Sequence, residues 1–108
     1  MSAITTHVLD TATGQPASSV TVTLERQSAS EDWVKLGEGR TDARGRIGNL
    51  LPDDCVLEAG LYQLRFDTSA RSPFFPEAVI RFHISDPHQH YHIPLLLGPF
   101  SFTTYRGS

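Results

Sequence analysis

The sequence predicts an all-β fold, an antiparallel β-sandwich of seven or eight short strands with at most one short helix. Three observations carry that expectation. Apolar and polar residues alternate with period two along most of the chain, which is the spacing of half-buried strands. Clusters of Gly, Pro, Asp, Asn, Ser and Thr punctuate the alternation at short intervals, as turns do. Only residues 53–59 and 69–72 could hold a helical turn, and neither stretch is long enough for a stable helix alone. A chain of 108 residues has the size of one domain, taken as residues 1–108.

Each element follows from its residues. Ile4-Thr5-Thr6-His7-Val8-Leu9 is a first strand, closed by the turn-rich Asp10-Thr11-Ala12-Thr13-Gly14-Gln15-Pro16. Val20, Val22 and Leu24 then alternate with Thr21, Thr23 and Glu25, giving one buried and one wet face. Residues 28–32 form a hairpin loop, and Trp33-Val34-Lys35-Leu36 begins the return strand. Thr41-Asp42-Ala43-Arg44-Gly45 is a turn in which Gly45 supplies positive φ, and Arg46-Ile47 opens a short strand beyond it. After a loop bracketed by Pro52 and Gly60, residues 61–66 form a strand with Tyr62, Leu64 and Phe66 on one face. The next strand, 78–84, has Ile80, Phe82 and Ile84 on its apolar side. Residues 90–97 and 100–105 supply the last two, joined by the Gly98-Pro99 turn.

The 90–97 strand breaks the one-sided pattern. Tyr91, Ile93, Leu95 and Leu97 share one face, and His90, His92, Pro94 and Leu96 share the other. A strand that is apolar on both faces near its end is covered on both faces. A two-layer sandwich covers only one, so an oligomer is expected, with histidines beside the interface.

Composition removes several function classes. Hydrophobic residues make up 39% and charged residues 19%, which excludes a disordered or coiled-coil chain. A formal net charge of −3 leaves no basic field for nucleic acid. The apolar runs, such as Leu95-Leu96-Leu97, are far too short to span a membrane. Cys55 is the only cysteine, so neither an internal disulfide nor a Cys-based zinc site is available. The start Met1-Ser2-Ala3-Ile4-Thr5-Thr6 lacks the charged and apolar regions of a signal peptide, and the end is not a Ser-Lys-Leu type address. Cytoplasm is the expected location.

Four of five histidines, from His83 to His92, lie in one short stretch, and the fifth is His7. In His88-Gln89-His90-Tyr91-His92 the imidazoles recur with period two and share a face wherever the strand is continuous. Three readings are open: a polar strand start, a zinc site built from alternate histidines, or general acid–base chemistry by groups that titrate near neutrality. His88 follows Pro87 in a turn, which weighs against metal. Arg46 on its own reads as a solvated turn charge. Cys55, preceded by Asp53 and Asp54, has neither the helix N-terminus nor the cation that favours a thiolate. No phosphate loop or Gly-x-Ser-x-Gly elbow occurs.

Three stretches together resemble the transthyretin-related proteins, and within them the 5-hydroxyisourate hydrolase branch. They are Thr5-Thr6-His7-Val8-Leu9-Asp10-Thr11-Ala12-Thr13-Gly14-Gln15-Pro16-Ala17, Thr41-Asp42-Ala43-Arg44-Gly45-Arg46-Ile47, and His90-Tyr91-His92-Ile93-Pro94-Leu95-Leu96-Leu97-Gly98-Pro99-Phe100 running on to Tyr105-Arg106-Gly107-Ser108. The resemblance covers nearly the whole chain. It implies a transthyretin-like sandwich assembled as a homotetramer, with sites in a channel between dimers. It makes His7, Arg46, His92 and Ser108 the catalytic residues. It assigns substrate binding to Arg46, Tyr105, Arg106, Gly107 and Ser108. The hormone carrier of the family lacks the histidines, the arginine and the terminal tetrapeptide, so their joint presence favours hydrolase over carrier. One departure is local. Between Asp67-Thr68-Ser69 and Phe74-Phe75-Pro76-Glu77 the family carries a longer insert with a short helix, where this chain has only Ala70-Arg71-Ser72-Pro73. None of the matched residues lies there.

The reaction so implied opens the six-membered ring of 5-hydroxyisourate, the product of urate oxidation, to 2-oxo-4-hydroxy-4-carboxy-5-ureidoimidazoline. His92 or His7 would be the water's general base, and the sequence leaves open which. Arg46 would hold the urate-like carbonyls and stabilise charge on oxygen. The scheme needs no cofactor and no metal. A ligand carrier without turnover, on the same fold, is the alternative.

Overall fold

The computed structural model describes residues 3–108. Met1 and Ser2, included in the expected domain and in the reading of the chain's start, lie outside the described residues. The strands in chain order are β1 (Ile4–Asp10), β2 (Gln15–Pro16), β3 (Thr21–Gln27), β4 (Trp33–Arg40), β5 (Arg46–Ile47), β6 (Gly60–Asp67), β7 (Glu77–Ile84), β8 (Tyr91–Leu97) and β9 (Phe102–Thr104). Every strand read from the sequence is present, and the two-residue β2 is added. Among the described residues there is no helix.

Two sheets form the layers. One follows the order β4-β3-β6-β7 and is antiparallel throughout. The other follows β2-β1-β8-β9, with β5 also paired to β1. The alternation seen in the sequence sets what lies between them. Val22 and Leu24 of β3, Leu64 and Phe66 of β6, and Ile4, Val8, Leu95 and Leu97 of β1 and β8 are fully buried. Removing one such side chain, for example Leu95→Ala, costs about 2–5 kcal/mol in an interior of this kind.

One pairing departs from the antiparallel expectation. β1 and β8 run parallel, in the register Ile4↔Tyr91 through Asp10↔Leu97. Parallel neighbours need a long crossover rather than a hairpin, and here most of the chain intervenes. That register decides what stands on the outer face of the sheet. Thr5 is opposite His92, His7 opposite Pro94 and Leu9 opposite Leu96. On the other side of β1, His7 is also the register partner of Arg46 in β5. The two-faced reading of β8 is visible too: its core face is buried, Pro94 on the outer face is buried, and His92 and Leu96 are half-buried.

The short connection at 68–76 folds into turns. The Ser72 hydroxyl donates to the Pro99 carbonyl (2.7 Å) and accepts from the Phe75 N–H (2.9 Å), tying this connection to the β8–β9 turn. Arg71 reaches across to Asp10 at the end of β1, Nη1 to Oδ2 at 2.9 Å, and also donates to the Ser18 carbonyl at 3.2 Å.

Candidate active site

Arg46 is placed by a turn that depends on two residues. The Asp42 carboxylate accepts from the backbone N–H of Arg44 (2.8 Å) and of Arg46 (3.0 Å). Those N–H groups, Arg46's first, hold its carboxyl below the usual carboxylate range. Gly45 has φ +75, and a Cβ there would come within 2.4 Å of the Val8 carbonyl. The turn can therefore press against β1 only with glycine at this position. The result is β5 laid along β1 with the Arg46 side chain outward and exposed. Among the described residues its guanidinium has no hydrogen-bond or ion-pair partner.

His92 is placed by β8 parity and held from both sides. Its Nδ1 lies 2.8 Å from the Thr5 hydroxyl, which is also 3.0 Å from His90 Nε2. On the opposite side the tail pairs with β8, the Gly107 N–H donating to the His92 carbonyl at 2.8 Å. A Cβ on Gly107 would come within 2.5 Å of His92 Cδ2. Gly107 does not have positive φ, and its missing side chain is the space the imidazole occupies. Burial first, then the neighbouring His7, His90 and Arg46 charges, lower the His92 pKa below the ordinary 6.5, against an opposing contribution from Thr5.

Thr5, Arg46, His90, His92 and Ser108, with Ile47 and Gly48, line a pocket of about 300 Å³ on the outer sheet face. Three of the four residues expected to be catalytic therefore share one cavity. His7 stands beside it, opposite Arg46 in register and near enough to act on the His92 charge. Tyr105 and Arg106 are placed elsewhere. They line a separate cavity of about 240 Å³ with Ile80, Phe82 and Ile93. Arg106 donates to Gln89 Oε1 (2.8 Å) and lies over the Tyr91 ring at 4.5 Å. The terminal tetrapeptide is thus split, Gly107 and Ser108 toward His92 and Tyr105 and Arg106 away from it.

The residues that sequence reasoning passed over are Thr5 and Asp42, while His90 was read only as one of three alternate imidazoles and given no place in the catalytic set. Strand parity could have found Thr5, since it lies two residues before His7 and so on the same face. His88 sits in the turn before β8, its N–H donating to Asp86 (2.9 Å), and does not join His90 and His92. Among the described residues no group of three or more His, Cys, Asp or Glu side chains is arranged to hold a metal ion.

A half-buried imidazole biased toward its neutral form, facing an unpaired guanidinium across a small pocket, suits addition of water to a polarised carbonyl. The comparisons with known proteins agree with that chemistry. The 5-hydroxyisourate hydrolase of Caulobacter vibrioides is 40% identical over 119 aligned positions that cover 100% of both chains. The structure of Klebsiella pneumoniae 5-hydroxyisourate hydrolase superposes with a TM-score of 0.81 at 38% identity, covering 97% of this chain and 98% of that one. The crystal structure of transthyretin from Sparus aurata superposes with a TM-score of 0.90 at 34% identity, covering 99% of this chain and 97% of that one. Fold likeness alone therefore does not separate the two activities. Residues 4–107 match the HIUase/Transthyretin family, and the chain belongs to it.

Proposed function

We propose that the chain hydrolyses 5-hydroxyisourate to 2-oxo-4-hydroxy-4-carboxy-5-ureidoimidazoline, a step of urate degradation, as a cytoplasmic homotetramer. The observation that carries this reading is the placing of neutral-biased His92, unpaired Arg46 and Ser108 around one pocket. His92 takes a proton from water on Nε2 as the water oxygen bonds to the ring carbonyl carbon. Arg46 stabilises the negative charge that develops on the carbonyl oxygen. The carbonyl re-forms as the C–N bond breaks, and the departing nitrogen takes the proton back from His92 Nε2. His7 orients the water, and the Ser108 hydroxyl hydrogen-bonds the substrate. Tyr105 and Arg106, anchored on the side away from the pocket, hold Gly107 and Ser108 against β8.

The carrier reading shares the fold but has no use for an unpaired arginine beside a neutral-biased imidazole. The tetramer is supported by the outer face of β1 and β8, where half-buried Leu9 and Leu96 lie in register beside the site and Pro94 extends the apolar strip. The test is to generate 5-hydroxyisourate in situ from urate with urate oxidase and to follow its absorbance, with and without EDTA. Accelerated decay that EDTA does not affect is the expected result. Decay at the spontaneous rate would overturn the hydrolase, and EDTA sensitivity would overturn the metal-free scheme.

A further inference from the structure

The Thr5 hydroxyl touches two imidazoles, His92 Nδ1 at 2.8 Å and His90 Nε2 at 3.0 Å. A hydroxyl has one proton to donate. It can serve at most one ring as donor and meets the other as acceptor. If it donates to His92 Nδ1, the neutral His92 carries its proton on Nε2 and offers no lone pair there. If it donates to His90 Nε2, it accepts the His92 Nδ1–H, and His92 Nε2 is left unprotonated.

The surroundings select between these. The Cδ2 edge of His92 faces Gly107, and Nδ1 faces β1. Nε2 belongs to neither contact and has no hydrogen-bond partner among the described residues. Arg46 lines the same pocket, and a cation there favours a lone pair over an N–H directed toward it. We infer that Thr5, backed by His90, is a positioning residue that holds His92 in its Nδ1–H form so that Nε2 is the base. This deepens the hydrolase reading and rests on it for its catalytic consequence, though not for the tautomer itself.

His90 is exposed and lines the same pocket, so its ring can hold the Thr5 proton from outside. The other charged groups facing His92 are His7 on β1 and Arg46 on β5, which oppose its protonation and make no hydrogen bond to Nδ1.

The experiment combines ¹⁵N imidazole spectra of the substrate-free protein with pH profiles of kcat/KM for wild type, Thr5→Val, Thr5→Ser and His90→Gln. His90→Gln keeps an acceptor oxygen near the Nε2 position and does not titrate. The wild type is expected to show His92 protonated on Nδ1 and not on Nε2 at neutral pH. Thr5→Val is expected to lose that bias and about 10- to 100-fold in kcat/KM, and Thr5→Ser to recover both. His90→Gln is expected to keep His92 protonated on Nδ1, because the Thr5 proton still has an acceptor, and loss of that form in this variant would overturn the part given to His90. A wild-type His92 protonated on Nε2, or a Thr5→Val variant that folds and keeps both the tautomer and the rate, would overturn the inference. The spectra need no substrate. An inactive wild type with His92 protonated on Nδ1 would therefore support the tautomer lock while refuting the hydrolase.

Discussion

Arg46 and Arg71 flank the same strand, β1, and differ in what their charge meets. Arg71 is bound at the strand's end, donating to the Asp10 carboxylate and to the Ser18 carbonyl, with Asp10 itself tied to the N–H of Ala12 (2.9 Å) and Thr13 (3.3 Å). Arg46 lies opposite His7 on the outer face, and no group among the described residues satisfies its guanidinium. The satisfied arginine holds together two segments far apart in sequence. The unsatisfied one keeps its hydrogen bonds available for a ligand. A folded protein that leaves a rigidly placed cation without a partner beside a neutral-biased imidazole forgoes little stability, because Arg46 is exposed.

Removing each arginine in turn separates the two roles. Arg46→Ala is expected to lower kcat/KM by about 100- to 1,000-fold, as loss of a group that stabilises developing charge does, with stability changed by no more than about 0.5 kcal/mol. Arg46→Lys should recover only part of the rate, since an ammonium lacks the planar pair of donors. Parallel turnover and thermal-melt measurements check both. Next in size is Gly107→Ala, whose Cβ pushes on His92 Cδ2 and displaces the ring. A displacement of that order costs up to about 100-fold in rate, again with a small effect on melting.

Arg71→Ala should do the reverse. Its partner Asp10, a buried carboxylate, is left without its cation, at a cost of about 1–3 kcal/mol measured by urea unfolding. The rate per folded molecule should be unchanged. The pH effects are the smallest. Burial alone would raise the Asp10 pKa, but Arg71 and the two N–H groups outweigh it and the net shift is downward from 3.8. Its stabilisation is present above pH 3.8 and lost as the pH falls through the lower folded value, a loss that Arg71→Ala should weaken. The lowered His92 pKa acts in a higher window. The unfolded chain binds that proton first, so stability declines as pH falls below 6.5, and the acid limb of activity also lies below 6.5.

The same two arginines show how far the sequence could be read. Arg46, His92 and Ser108 were legible through the family resemblance of the stretches that hold them. By pattern alone Arg46 reads as a solvated turn charge and His92 as one of three alternate imidazoles. Arg71 was not legible as a clamp, because its partner Asp10 lies on a strand far away in the chain. The parallel β1–β8 pairing was hidden for the same reason: periodicity fixes which face a residue is on, and says nothing about which strand lies beside it. Thr5 was hidden differently. A threonine in a strand is ordinary by propensity, and only the Thr5↔His92 register gives it a role. Tyr105 and Arg106 show the limit of a motif, since four adjacent residues divide between two cavities once the chain pairs with β8 at Gly107.

Hydrolysis of 5-hydroxyisourate on the outer face of β1, by unpaired Arg46 and neutral His92, is the proposal that separates the two arginines. It is tested most directly by kcat/KM for in situ generated 5-hydroxyisourate, measured side by side for wild type, Arg46→Ala and Arg71→Ala at a temperature where all three are folded. The expected result is a wild-type rate well above the spontaneous one, a loss of about 100-fold or more for Arg46→Ala, and no loss for Arg71→Ala. Equal losses in both variants, or an Arg46→Ala enzyme that turns over like the wild type, would contradict it.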